Sequence, residues 1–135
     1  MNNNLGMGVM IRMLGGNAET VEAVRGALNK KIASLKIEND TLRLSFEDGS
    51  KLSVWDGGHS CCEHRYMNCD DDLGQHIGAE LRNLEVRQGP NAPAECDVHE
   101  VQFLVVSTSE GAFTVANHNE HNGYYGGFWV QAEAK

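Results

Sequence analysis

The chain has 135 residues, 41% of them hydrophobic, and carries 11 Lys and Arg against 19 Asp and Glu, a formal net charge of −8. That is enough apolar material for one domain with one core, and too acidic for a protein that coats DNA or RNA through a broad basic face. No apolar run approaches the roughly 18 residues of a membrane span, and "MNNNLGMGVMIRML" lacks a basic start and a clear cleavage site, so a cytoplasmic protein is expected.

Residues 1–17 are polar, Gly-rich and Met-rich without periodicity and are expected to form a flexible lead-in to a single domain over 18–135. "AETVEAVRGALN" spaces Val21, Val24 and Leu28 for one face of a short helix. "KIASLKIE" follows as a strand. In "TLRLSFEDGSKLSVWD" the residues Leu42, Leu44 and Phe46 alternate, Asp48-Gly49 supplies a turn, and Leu52 and Val54 resume the alternation, which predicts a β-hairpin. "DDDLGQHIG" predicts a second short helix capped by Asp70 or Asp71. "AELRNLEVR" reads as a strand, "VQFLVVSTSEGAFTVAN" as a second hairpin turning at Glu110-Gly111, and "GGFWVQAEA" as a closing strand. The expected class is α+β, mainly antiparallel β, with about seven strands and two short helices.

The two halves resemble each other. Leu28, Ile32, Leu35 and Ile37 share their spacing with Ile77, Leu81, Leu84 and Val86. Leu42, Leu44, Leu52, Val54 and Asp56 match Phe103, Val105, Phe113, Val115 and Asn117, with the turn glycine displaced by one position. A duplicated helix–strand–hairpin unit explains this; so does the general likeness of any two amphipathic hairpins. The match sets the polar segments "DGGHSCCEHRYMNCDDD" and "NHNEHNGYYGGFW" in equivalent places after the two hairpins. If the units pack about a pseudo-twofold, both segments meet at one end.

"SCCEHRYM" followed by "DDDL", then "DVHEVQFL" and "NHNEHNGYYGGFW", resemble a family of small bacteriophage-encoded proteins known only as a domain of unknown function. The resemblance runs from about Lys30 to the end of the chain. It implies a phage protein acting in the cytoplasm of an infected bacterium and supplies no activity.

Three chemistries compete for the polar segments. Arg65 offers paired hydrogen bonds to phosphate, and Tyr66, Tyr124 and Tyr125 offer faces for a base. Asn117, His118, Asn119, His121 and Asn122 present the donors and acceptors that base edges and ribose hydroxyls need. These nine residues are the expected ligand contacts. Zinc is disfavoured and no cofactor is expected. His59, Cys61, Cys62, His64, Cys69, His99, His118 and His121 supply ligand types, but no C-x-x-C pair is present and adjacent cysteines chelate poorly. Parts for phosphodiester hydrolysis exist in His118 or His121 as base, His99-Glu100 and Asp70 to Asp72, with Cys61 or Cys62 as nucleophile. For Asp71 and Asp72, helix capping and a solvated face are the simpler role.

The leading expectation is a non-enzymatic phage accessory protein that binds and sequesters a small nucleotide-type immune signal. A chain of this size has limited surface to enclose a nucleotide, so a homo-oligomer is expected. A nucleotide or phosphodiester hydrolase, with or without metal, is the alternative. A protein-binding inhibitor of a host or defence enzyme is the third.

Overall fold

The computed structural model describes residues 18–57, 64–89, 98–121 and 128–135. The lead-in over 1–17 lies outside them, as do Val21's side chain and residues 58–63, 90–97 and 122–127. Within the described residues the chain runs α1 (Ala18–Ala27), β1 (Ile32–Glu38), β2 (Thr41–Phe46), β3 (Lys51–Asp56) and β4 (His64–Asn68). A short 3₁₀ helix (Leu73–His76) follows, then β5 (Leu81–Gln88), β6 (Val98–Thr108), β7 (Gly111–His121) and β8 (Val130–Ala134).

Two antiparallel sheets of four strands share one core. One has the order β1-β2-β3-β8, the other β5-β6-β7-β4. The first sheet therefore holds β1 to β3 plus β8 from the end of the chain, and the second holds the consecutive strands β4 to β7, with β4 beside β7. Alternation dictates which side chains enter the core. Leu42, Leu44 and Phe46 point inward from β2, Leu52 and Val54 from β3, Leu104 and Val106 from β6, and Phe113 and Val115 from β7, all buried. Complete burial of each such side chain contributes about 1.5–3 kcal/mol. Helix α1 lies over β8 and adds Ala23, Val24 and Ala27 to the core. The Thr20 hydroxyl meets both backbone groups of Ala132, accepting from its N–H at 3.3 Å and donating to its C=O at 3.5 Å. That satisfies edge-strand polar groups that would otherwise be buried without partners.

The likeness of the halves extends to hydrogen bonds. Ile32 N donates to Ala79 O (2.8 Å) and Leu81 N to Lys30 O (3.0 Å); Gly78 N donates to Ile32 O (2.7 Å) and Asn29 N to Leu81 O (2.6 Å). Each pair maps onto the other when positions 29–32 are laid on 78–81. Asn29 and Gly78 both adopt positive φ (70° and 88°), and β1 and β5 each carry a register shift at the matching place, Ile32/Ser34 and Leu81/Asn83.

The pairing corrects one detail of the sequence match. β2 pairs Leu44 with Leu35, and β6 pairs Val106 with Leu84. The true counterparts of Leu42 and Leu44 are therefore Leu104 and Val106, one position beyond Phe103 and Val105, and Gly49 then falls on Gly111 without displacement. A one-residue slip turns every side chain to the opposite face; Phe103 and Val105 indeed lie on the outer face, only partly buried.

Three other elements differ from expectation. Among the described residues the strand count is eight, because β4 forms within the polar segment. The second helix is one 3₁₀ turn, and its cap is Asp72, whose carboxylate accepts from Gly74 N at 2.9 Å. β1 and β2 form a hairpin through Asn39-Asp40, both at positive φ (52° and 56°), as a tight two-residue turn requires.

Candidate functional site

The second hairpin is the longer of the two. β6 and β7 have 11 residues each, β2 and β3 only 6. The extra length carries the chemistry. Its pairing runs Val98↔His121, Glu100↔Asn119 and Gln102↔Asn117, and β4 adds His64↔Glu120, Arg65↔Asn119 and Tyr66↔His118. β3 ends at the same place: Arg65 Nη1 donates to Asp56 Oδ2 across the sandwich at 2.8 Å, and Trp129 N donates to Asp56 Oδ1 at 2.8 Å. The described parts of the two polar segments thus meet at one end of the molecule.

Alternation divides the sequence candidates between two faces of this extension. Arg65, Asn117, Asn119 and His121 point into the sandwich. Asn119 is 0% exposed, Asn117 1% and His121 5%. The inner face also holds Glu100, whose Oε1 lies 2.9 Å from His121 Nε2, and buried Gln102 opposite Asn117. Neither amide atom of Asn117 has a hydrogen-bond partner, and the Oε1 of Gln102 has none. Tyr66 and His118 point outward. Asn122, Tyr124 and Tyr125 lie outside the described residues.

The outward face is a connected cluster. The Tyr66 ring stacks on His118, 4.5 Å between centroids and 6° from parallel. Tyr66 OH donates to Glu120 Oε2 at 2.7 Å. His99 Nε2 lies 2.9 Å from His118 Nδ1, and His118 Nε2 lies 3.2 Å from Asn68 Oδ1. With the Asn68 oxygen accepting, His118 Nε2 carries the proton, so Nδ1 of a neutral ring must accept from His99. The electrostatics agree. Burial, reinforced by His99 and opposed by Glu120, holds His118 below the ordinary histidine value. Burial also pushes the Tyr66 phenol up, as does its bond to Glu120. That same bond holds Glu120 below the usual carboxylate range, against burial and with help from His99, His64 and His118.

Sequence reasoning did not choose Asp56, Gln102 or Glu120, and assigned Glu100 only to acid–base chemistry. The available signal was the pairing of 98–103 with 117–121, which sets each beside a chosen residue. For metal binding, Cys61, Cys62 and His59 lie outside the described residues. Cys69 sits five residues beyond His64, about 16 Å along the strand. It is a free thiol donating to Thr114 O at 3.2 Å, and burial pushes its pKa up. Among the described residues no three His, Cys, Asp or Glu side chains gather to hold a metal ion, and no helix is long and apolar enough to cross a membrane.

No curated protein and no solved structure matches the chain. Residues 25–130 match the family model described as Domain of unknown function (DUF7448), a stretch that takes in strands β1 to β7 and both faces of the extended hairpin, and the chain belongs to that family.

Proposed function

We propose that the protein is a phage accessory factor that binds a small nucleotide-type signalling molecule in the infected cell and sequesters it unchanged. The observation that carries this reading is the Asn117 side chain, 1% exposed with both amide atoms unpartnered. An orphaned buried polar group costs about 1–3 kcal/mol, and native structures carry few of them. A donor and an acceptor held on the inner face of the extended hairpin, one row further in than Asn119 with its neighbours Arg65 and Glu100, suit a ribose hydroxyl or a base edge. The reading includes self-association, supported by Trp129, which is 58% exposed next to Asp56.

The test is Asn117→Leu. If Asn117 serves a ligand, the substitution weakens binding of the matching nucleotide by about 1–3 kcal/mol. It also raises the melting temperature of the ligand-free protein, because an unsatisfied amide is replaced by apolar atoms of similar size. Calorimetry against ADP-ribose and cyclic nucleotides, with thermal melts, reads both. Lower stability with unchanged binding would sink the proposal.

A hydrolase is the second reading, favoured by the convergence of His99, His118, Tyr66 and Glu120 on the outer face. It requires a substrate to displace the 2.9 Å His99–His118 contact, since that contact uses the His118 lone pair a general base needs. Product formation lost on His118→Gln would favour it.

A further inference from the structure

The outer face of the first sheet carries a cavity of about 190 Å³ lined by Ser34, Lys36, Arg43, Ser45, Lys51 and Ser53. The register explains why these six gather. Ser34 pairs with Ser45 and Ser45 with Lys51 in one row; Lys36 pairs with Arg43 and Arg43 with Ser53 in the next. Three cations and three hydroxyls thus form two adjacent rows on one face of a chain whose net charge is −8. Lys36 and Arg43 share a single carboxylate, Glu38, at 3.6 and 3.4 Å, and Lys51 has no ion pair among the described residues. Arg43 Nε, the atom that faces Glu38 Oε1 at 3.4 Å, is buried and makes no well-formed hydrogen bond.

The fold does not require this composition. At the matching positions of the second sheet stand Asn83, Glu85, Val105, Ser107, Ala112 and Thr114, which form an equally regular outer face without a cationic cluster. Like charges on neighbouring strands destabilise a sheet; Glu38 offsets Lys36 and Arg43 in part, and Glu133, opposite Ser53, pairs with Lys135 rather than with Lys51.

We infer that this cavity binds a phosphate-bearing small anion, with Arg43 and Lys51 supplying charge and Ser45 and Ser53 supplying hydroxyl donors. Arg presents a planar fork to phosphate oxygens and Lys a point charge. Trp55 follows Ser53 by two residues on the same face, about 7 Å away, and offers a ring for a base if the phosphate belongs to a nucleotide. The site lies on the opposite sheet from Asn117 and stands independently of the function proposed above.

The experiment is calorimetric titration of the full chain at low salt with inorganic pyrophosphate and, separately, ATP, with amide shifts of Arg43, Ser45 and Lys51 followed by NMR. Saturable binding is expected for both probes, weakened about tenfold or more by Arg43→Gln or Lys51→Gln, the loss of one charged hydrogen bond. Lys31→Gln, on an exposed lysine outside the cavity, should bind as the parent does. ATP binding tighter than pyrophosphate identifies a nucleotide ligand, and equal binding identifies free polyphosphate. Lys51 is exposed, so its variant keeps the test valid if Arg43→Gln fails to fold. Absence of saturation, shifts spread over all lysines, or variants that bind as tightly as the parent would overturn the inference.

Discussion

Asp56→Ala should destabilise the protein strongly, and a second substitution should repair most of the damage. Asp56 sits at the end of β3 with its side chain 8% exposed; Arg65, its partner on β4, is 15% exposed. The pair joins the two sheets where the polar segments meet. Removing the carboxylate leaves a guanidinium largely cut off from water and also removes the acceptor of Trp129 N. Breaking a buried pair in this way costs about 3–5 kcal/mol, and the residual exposure of Arg65 favours the lower end. At about 2.1 cal/mol/K per residue, a chain of this length loses roughly 10 °C in melting temperature for about 3 kcal/mol. Arg65→Met should cost a similar amount, and Asp56→Leu with Arg65→Met together should cost less than either alone, because neither charge is then stranded. Urea and thermal melts of Asp56→Leu, Arg65→Met and their double close the cycle. Single variants melting within about 2 °C of the parent would refute the claim that this pair holds the sheets together.

His118 should make the protein less stable as pH falls. Its pKa in the folded chain lies below its unfolded value of about 6.5, so the unfolded chain binds the proton first and stability declines as pH drops through that value toward the folded pKa. Urea midpoints between about pH 5 and 8 should show that slope flattened in His118→Gln; an identical slope contradicts it. Glu120→Gln should bring the Tyr66 phenol back toward its ordinary pKa, since the Glu120 bond and charge both raise it, and NMR titration of the Tyr66 ring would detect a failure to move. The Cys69 thiol, raised by burial and bonded to Thr114 O, should react with iodoacetamide more slowly than free glutathione at neutral pH, as mapped by mass spectrometry; a rate equal to glutathione's would mean that the thiol is open to solvent.

Apolar alternation made most of the fold legible. Both hairpins and the inward residues of β2, β3 and β7 follow from period-two patterning, and Gly49 lies in the first turn, but the second turn is Ser109-Glu110, with Gly111 opening β7 opposite Thr108. β4 escaped because only Met67 marks its inner face with an apolar side chain; Arg65 beside it enters the interior as half of an ion pair, which no hydrophobic pattern records. The Asn39-Asp40 turn escaped because neither residue is glycine, although both types tolerate positive φ. The slip of one residue between Leu42 and Phe103 came from aligning hairpins through their second strands, when the loop lengths differ by one. For the candidate site, composition located the segments correctly, but a list of residue types carries no face. Arg65 and Tyr66 are adjacent in sequence and project to opposite sides of the sheet, as do Asn117 and His118. Assigning them required the strand that had not been foreseen.

The central claim is that an intact nucleotide-type molecule occupies the end of the sandwich at Asn117. The most direct measurement is native mass spectrometry of the protein purified from infected cells, followed by denaturation and mass analysis of whatever is released. The account predicts a stoichiometric, chemically intact phosphorylated nucleoside derivative that is absent from the Asn117→Leu protein. Protein that emerges empty and stays empty after incubation with extract from infected cells, or that releases only a cleaved product, would contradict it.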